Sequence, residues 1–367
     1  MKETLELWPT VEPIRPYGDP VLRQKARPVK KISRRIRTLL DRLAEIMYKA
    51  RGVGLAAPQI GESVRVVVID VGEGLLELIN PEIVSEEGSE TAYEGCLSIP
   101  GYIGEVERSA RVRVQALDRQ GRRIWIEGEG LLARTLQHEI DHLNGVLYID
   151  RAERLVELPP EQRFRVVFMG TPEFGARVLT TLVEAQCNVV LVVTQPDRPS
   201  GRGLKSRAPE VKKVAQAHEL PVVQPTKVAN PEFLRQLREL EPDVVVTAAF
   251  GQILPAELLA IPKVACLNVH ASLLPKYRGA APIQRALLAG ERETGITIMY
   301  MAEELDAGDI LLQRAIPIAP DETAGSLHDK LAALAGQALL EALRLLAKDE
   351  APRIPQDHRA ATYAPRL

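Results

Sequence analysis

Long hydrophobic runs are missing from this sequence: no segment approaches the roughly 20 apolar residues needed to span a bilayer. The opening, MKETLELWPT, carries charges where a secretory signal needs an apolar stretch, and it lacks the Arg/Ser bias of a transit peptide. Cysteine is scarce. Cys96, Cys187 and Cys266 are too few and too scattered for a disulfide framework, which fits a reducing compartment. These absences point to a soluble, cytoplasmic protein without membrane contact. A charge excess is missing as well. The net charge is −2, and a division at residue 160 gives 23 Lys+Arg against 25 Asp+Glu, then 24 against 24. Neither half has the overall basic balance of a nucleic-acid binder, so any such contact must be a local patch. No internal repeat and no low-complexity tract is present.

What is there reads as two organisations in succession. At 367 residues the chain is long enough for two or three domains with separate cores. In the first 158 residues, KISRRIRTLLDRLAEIMYKA sets Ile32, Ile36, Leu39, Leu43 and Ile46 at spacings of three and four, an apolar stripe opposite an arginine-rich face. Short β-type runs follow (VRVVVID, ELINPEIV, RVRVQAL, RRIWIEG), and a second helix covers LLARTLQHEIDHLNG. Clustered strands with few helices predict an α+β domain.

The second helix carries HEIDH. His138 and His142 lie four residues apart on one face and can reach one metal ion, while Glu139 is offset by one position toward a reacting water. A surface helix with two solvated histidines has the same pattern. Two further segments bear on the choice. YEGCLSIPG offers Cys96 as a soft third ligand, or as a small buried apolar residue. RGVGLAAPQIG concentrates small residues where backbone must approach something closely and ends near Gln59, a neutral donor; a tight turn before a strand is the plainer alternative.

Taken in this order, GVGLAAPQ, EGCLS and QHEIDHL resemble the peptide deformylase family over nearly all of residues 1–158. The resemblance implies that Cys96, His138 and His142 bind a divalent metal, Fe2+ in the cell with Zn2+ or Ni2+ as substitutes. It also implies that Glu139 is general base and then acid, that Gln59 and the Leu97 N–H hold the oxyanion, and that Gly54 belongs to the substrate-binding backbone. The implied substrates are N-formyl-methionyl peptides, with the ribosome as a further partner. The long C-terminal helix of many deformylases is not expected here, because YIDRAERLVEL runs only briefly before Pro159 and Pro160.

Those prolines disfavour a continuous helix, and residues 159–163 are expected as a short linker. FRVVFMG, NVVLVVTQ, DVVVTAAF and VACLNVHA then alternate with helical stretches, which predicts an α/β doubly wound, Rossmann-like parallel sheet over residues 164–367. GTPEFG is not G-x-G-x-x-G, so dinucleotide binding is not expected. Ligands of such sheets sit at the C-terminal strand ends. There Asn268 and His270, two apart on a strand, face the same way, and Asp306 lies in ELDAGDIL. A turn cap, a core histidine and a loop carboxylate would explain them singly.

FMGTPEFG, VTQPDRPSGRG, NVHASLLPKYRGAAPIQRALLAG, TGITIM and LDAGDIL together resemble the methionyl-tRNA formyltransferase family. The resemblance implies 10-formyltetrahydrofolate as co-substrate and Asn268 and His270 on the formyl oxygen. Asp306 would orient His270 or relay a proton, and Ser272, Leu273, Leu274 and Pro275 would help hold the folate. The acceptor implied is initiator methionyl-tRNA. Gln195–Lys213 has six basic and two acidic residues, and Arg198, Arg202, Lys205 and Arg207 are its phosphate-contact candidates. The family's usual C-terminal β-barrel is not expected, since the chain stops at RAATYAPRL. The whole is read as a bifunctional deformylase and formyltransferase. Two rival readings make the second half a small-amine or amino-sugar formyltransferase, or a non-catalytic folate- or tRNA-binding regulatory module.

Overall fold

The computed structural model describes residues 10–200 and 205–367, with side chains described except at 198–200, 205 and 206. The chain divides into two units, Met1–Leu158 and Pro159–Leu367. No helix among the described residues is long and apolar enough to cross a membrane.

In the first unit, α1 (Arg34–Lys49) buries Ile36, Leu39, Leu40, Leu43, Ile46 and Met47 along the stripe read from the sequence. The strands are β1 (Gly54–Ala56), β2 (Val66–Ile69), β3 (Leu76–Glu87), β4 (Glu90–Gly95), β5 (Tyr102–Arg108), β6 (Arg111–Leu117) and β7 (Arg123–Glu129). After them come α2 (Gly130–Leu143), the single turn α3 (Tyr148–Arg151) and β8 (Arg154–Glu157). They form an antiparallel five-stranded sheet in the order β1-β2-β3-β6-β7 and a three-stranded sheet β4-β5-β8. β8 pairs antiparallel with β5, Tyr102 opposite Glu157. The expected brief helical run after α2 is therefore one turn, after which Leu155 and Val156 continue as a strand. The core falls on both sides of the larger sheet. α1 with Val66, Val68 and Ile79 makes one cluster; Val67, Ile69, Val112 and Val114 with Leu136 and Ile140 of α2 make another. Alternate residues of β2 point to opposite sides, which is why its run VVVI is buried throughout.

The second unit opens on residues 160–163, expected as linker. They are a 3-10 turn built into the unit, with Glu161 buried and accepting from Arg344 at 2.7 Å. The elements then run β9 (Val166–Gly170), α4 (Glu173–Glu184), β10 (Val189–Val193), a two-stranded ribbon of β11 (Arg198–Ser200) and β12 (Lys205–Arg207), α5 (Glu210–Ala217), β13 (Val222–Val223), α6 (Pro231–Glu239), β14 (Val244–Ala248), α7 (Ala256–Leu259), β15 (Ala265–His270), α8 (Pro282–Leu288), β16 (Glu293–Tyr300), β17 (Ile310–Pro317) and α9 (Ala324–Ala347). The main sheet has the order β13-β10-β9-β14-β15-β16-β17. Pairing is parallel from β13 to β15. The last two strands, β16 and β17, are antiparallel additions. The order reverses at β9, with β10 on one side and β14 on the other, as in doubly wound sheets. Apolar clusters cover both faces, one with α4 and α9, the other with Phe233, Leu234 and Leu237 of α6. The fully buried strands read as continuous Val-rich runs for that reason.

Candidate active sites

In the first unit, β4 ends at Gly95 and delivers Cys96 beside α2, whose two histidines are one turn apart. Ligand atoms of Cys96, His138 and His142 all lie within 4.8 Å of one another. Cys96 Sγ is 3.2 Å from His142 Nε2. His138 Nδ1 is committed to Glu94 Oε2 at 3.0 Å, which leaves Nε2 to face the cluster. Burial, then the charges of His138 and Arg108, hold the basicity of His142 well below the usual value, so its ring is neutral, the ligating form. Burial opposes protonation of His138 too, but hydrogen bonding with Cys96 and Glu94 outweighs it and raises the value to about 10. The cluster calls for positive charge at its centre. A thiolate with two imidazoles is a donor set suited to Zn2+ or Fe2+, and the residues present fit a divalent ion.

Glu139 lies against Gly54. A Cβ on Gly54 would come 2.4 Å from Glu139 Oε1, so only glycine admits the carboxylate here. The other oxygen, Oε2, is buried and has no partner among the described residues. Burial pushes this carboxyl up to about 7, where taking and giving a proton are both easy. Gln59 is buried on the turn after β1. Its Oε1 accepts from the Ala56 N–H at 2.9 Å, and its Nε2 donates to Ser98 Oγ at 3.2 Å and lies 3.5 Å from Cys96 Sγ. Leu97 follows the thiolate and is half-buried. Gly52 gives its side chain room, since a Cβ there would meet Leu97 Cδ1 at 2.7 Å.

Sequence reading missed what holds these groups. Glu94 Oε1 accepts from Arg108 Nε at 2.5 Å and Arg134 Nη1 at 2.7 Å, and its Oε2 from Arg108 Nη2 at 2.9 Å. Arg108 Nη1 donates to Asp141 Oδ2 at 2.8 Å, and Arg151 clamps the same carboxylate through Nε and Nη2. Burial works against ionised Glu94, yet His138 and Arg108 bring it down to about 2. Glu94 and Asp141 stand inside the motifs already quoted, YEGCLSIPG and HEIDH. Arg108 carries no such signal.

In the second unit, β15 brings Asn268 and His270 to the C-terminal edge of the sheet, as expected. Asn268 Oδ1 accepts from Thr247 Oγ1 at 2.8 Å, and its Nδ2 donates to Asp306 Oδ1 at 3.2 Å. Asp306 Oδ2 accepts from the Gly279 N–H at 2.8 Å and is 3.6 Å from His270 Nδ1. His270 Nε2 is 2.9 Å from the Tyr277 carbonyl. A carbonyl only accepts, so Nε2 carries the proton and Nδ1 of the neutral ring holds the lone pair. The loop of Asp306 is pinned by buried Gln356, whose Nε2 donates to the carbonyls of Asp306 and Gly308 at 2.9 and 2.7 Å.

The SLLP stretch divides by burial. Ser272 donates to the Lys276 carbonyl at 2.6 Å, and Leu274 accepts from Gln313 Nε2 at 2.9 Å through its carbonyl. Both are buried, whereas Leu273 and Pro275, the latter after a cis bond, are half-buried. Of the basic candidates, Arg202 lies outside the described residues. Arg198 and Lys205 are placed by their backbone on β11 and β12, and Arg207 is exposed and pairs with Glu210 at 3.0 Å. Beside them a cleft of about 970 Å³ opens at the ends of β9 and β14, lined by Thr171, Gln195, Arg207, Lys213 and Phe250 among others. Cys187 and Cys266 are buried, and burial pushes each thiol up to about 12, which makes them structural.

Comparison with known proteins agrees with this division. The family model for polypeptide deformylase matches residues 11–157, and that for formyl transferase matches residues 163–343. Among curated relatives, the methionyl-tRNA formyltransferase of Desulforamulus reducens is 50% identical over 203 residues, which is 55% of this chain and 64% of that protein. That of Geobacter sulfurreducens is 54% identical with the same coverage. This chain thus spans a little under two thirds of their length. Among solved structures, the peptide deformylase of Thermotoga maritima is 49% identical, aligned over 38% of this chain and 97% of that one with a TM-score of 0.38. The peptide deformylase of Synechococcus elongatus, solved in complex with actinonin, is 44% identical over 42% of this chain and 84% of that one, also at 0.38. The chain therefore belongs to two families in succession, a polypeptide deformylase domain joined to a formyl transferase domain.

Proposed function

We propose that the chain is a bifunctional enzyme. Its first unit hydrolyses the N-formyl group from formyl-methionyl peptides, and its second transfers a formyl group from 10-formyltetrahydrofolate to methionyl-initiator tRNA. The observation that carries the reading is that each unit gathers its own carbonyl chemistry: Cys96, His138 and His142 around one point beside Glu139, and Asn268 and His270 around Asp306.

In the first unit Cys96, His138 and His142 would hold a divalent cation, ferrous iron in the cell, with zinc or nickel as substitutes. When bound, such an ion polarises a carbonyl and makes water more acidic. The chain's own residues do the rest. Glu139 takes a proton from the attacking water and returns it to the departing amine. Gln59 Nε2 and the Leu97 N–H donate to the oxygen as charge builds on it. Gly54 keeps Glu139 seated and leaves backbone open to the peptide.

In the second unit the amine of the methionyl group attacks the formyl carbon. Charge develops on the formyl oxygen, where the free N–H of Asn268 donates. His270, expected with Asn268 on the formyl oxygen, has its Nε2–H committed to the Tyr277 carbonyl; its Nδ1 instead accepts the proton lost by the amine. Asp306 stabilises the imidazolium and fixes Asn268, and breaking the bond to the folate nitrogen returns a proton to that nitrogen. Leu273 and Pro275 are the folate-facing members of SLLP. Arg198, Arg202, Lys205 and Arg207 meet acceptor-stem phosphates, and the ribosome supplies the nascent peptides.

The test is to assay the full chain on a formyl-Met peptide, and separately on initiator methionyl-tRNA with 10-formyltetrahydrofolate. Glu139→Ala is expected to lower peptide hydrolysis by at least ~10²-fold with metal content kept, and to leave transfer intact. His270→Ala is expected to do the reverse. Loss of both activities in either variant, or transfer to an amino sugar in preference to tRNA, would overturn the assignment.

A further inference from the structure

Between Arg23 and Arg42 the sequence RQKARPVKKISRRIRTLLDR holds nine Lys or Arg against Asp41 alone, in a chain whose net charge is −2. None of these cations has a place in either candidate site. Three acidic neighbours of the segment are already taken, and Glu45, three residues beyond Arg42, forms no ion pair with it among the described residues. Asp41 is claimed by Arg119 from the β6–β7 turn, Glu62 by Arg35 at 2.9 Å, and Asp150 by Arg23. Among the described residues, no carboxylate forms an ion pair with Lys25, Arg27, Lys30, Lys31, Arg34, Arg37 or Arg42, and all seven are exposed. Arg34, Arg35 and Arg42 line one groove of about 370 Å³ with Thr38, Leu39 and Glu62. Arg34, Thr38 and Arg42 follow one another at single-turn steps of ~6 Å along α1. This is an extended row, not a pocket for one anion.

From this surface we infer that the outer face of α1, with the segment leading into it, docks the phosphate backbone of folded RNA. Arginine predominates, and its planar fork matches phosphate oxygens two at a time. A lipid surface is disfavoured by the same helix. A membrane-lying helix offers an apolar side to the bilayer, but here Ile36, Leu39, Leu40, Leu43, Ile46 and Met47 are spent on the core and no large apolar side chain is exposed between Val21 and Met47. The choice of RNA over another polyanion rests on the proposed role in translation. The docking face itself belongs to the deformylase unit and is distinct in sequence from the basic stretch at residues 195–213.

The experiment measures binding of a short RNA duplex to the full chain across a salt series. The proteins compared are the wild type, the charge-reversal variant K31E/R34E/R42E, and each of these with R198E/R207E added. The α1 reversal should weaken binding roughly tenfold or more in both backgrounds. It should also flatten the dependence of log K on log salt by about 0.7–0.9 per lost phosphate contact, with formyl-peptide hydrolysis unchanged. Three results overturn the inference: no RNA binding by the wild type at low salt, no effect of the α1 reversal, or phosphatidylserine vesicles bound more tightly than RNA and lost in the same variant. If α1-dependent binding holds while formyl transfer to tRNA fails, the docking face stands and the tRNA reading falls.

Discussion

Around the first site the supporting groups are ions: side chains of Glu94, Arg108, Asp141 and Arg134, each 10% exposed or less, joined in one chain of charge-assisted hydrogen bonds. Around the second they are mostly neutral, namely the Thr247 hydroxyl, the Tyr277 carbonyl, the Gly279 N–H and the Gln356 amide. The difference follows from the charge each site must tolerate. A site built for a cation holds a thiolate and needs fixed carboxylates behind its ligands, and Glu94 and Asp141 are held in that role by arginines. A site that meets negative charge only in passing needs donors aimed at one oxygen, and beyond Asp306, which aims Asn268, further permanent ions would add desolvation cost.

If the contrast is right, the units break differently. Replacing Arg108 by Leu leaves Asp141 with Arg151 alone and Glu94 with Arg134 and His138 alone in a low-dielectric interior. A cost of about 3–5 kcal/mol to the first unit is expected. Both tryptophans, Trp8 and Trp125, lie within the first 158 residues. The loss should therefore appear as a shifted fluorescence transition while formyl transfer persists; an unshifted transition would show that the ionic chain is dispensable. Gly54→Ala places a methyl against Glu139, and a displacement near 1 Å at a catalytic group costs ~10²-fold. Peptide hydrolysis should fall by that much with the metal retained. Glu94→Gln keeps the shape but removes the charge behind His138, so metal affinity, read by competition with a chelator, should drop about 10–100-fold. Retention of full affinity would mean that the ligands alone define the site.

How much of this could be read from residue order depended on how local the chemistry is. HEIDH is legible because one helical turn sets both imidazoles, and Asn268-x-His270 because a strand alternates. Cys96 needed only its neighbours' word. The second layer is not legible, since Arg108 reaches Glu94 through the pairing of β4 with β5 and Asp141 across to α2, and neither partner is written in the strand. The β4–β5 hairpin is not legible either, its residues lacking clean alternation. β16 and β17 lie beyond the alternating stretches that predict the parallel sheet, and their antiparallel direction is a property of the connection, not of the run. At Gly54 the small-residue run does signal close approach, while what approaches it, the Glu139 carboxylate, comes only from the packing of α2 on β1.

The smallest test separates the units by their spectroscopy. α9, the longest helix described, packs on the sheet of the second unit, and its first turn is closed by a reciprocal cap. Thr323 Oγ1 accepts from the Ser326 N–H at 3.1 Å, and Ser326 Oγ accepts from the Thr323 N–H at 3.0 Å. Thr323→Ala removes the first of these bonds and is expected to cost about 1 kcal/mol, equivalent to ~2–4 °C in the melting of a domain of this size. With no tryptophan beyond residue 158, that shift should be seen by far-UV circular dichroism and be absent from tryptophan fluorescence. Were fluorescence to move in step with dichroism, the units would be unfolding as one body, and the separate electrostatic logic of their sites would have to be argued for the whole chain.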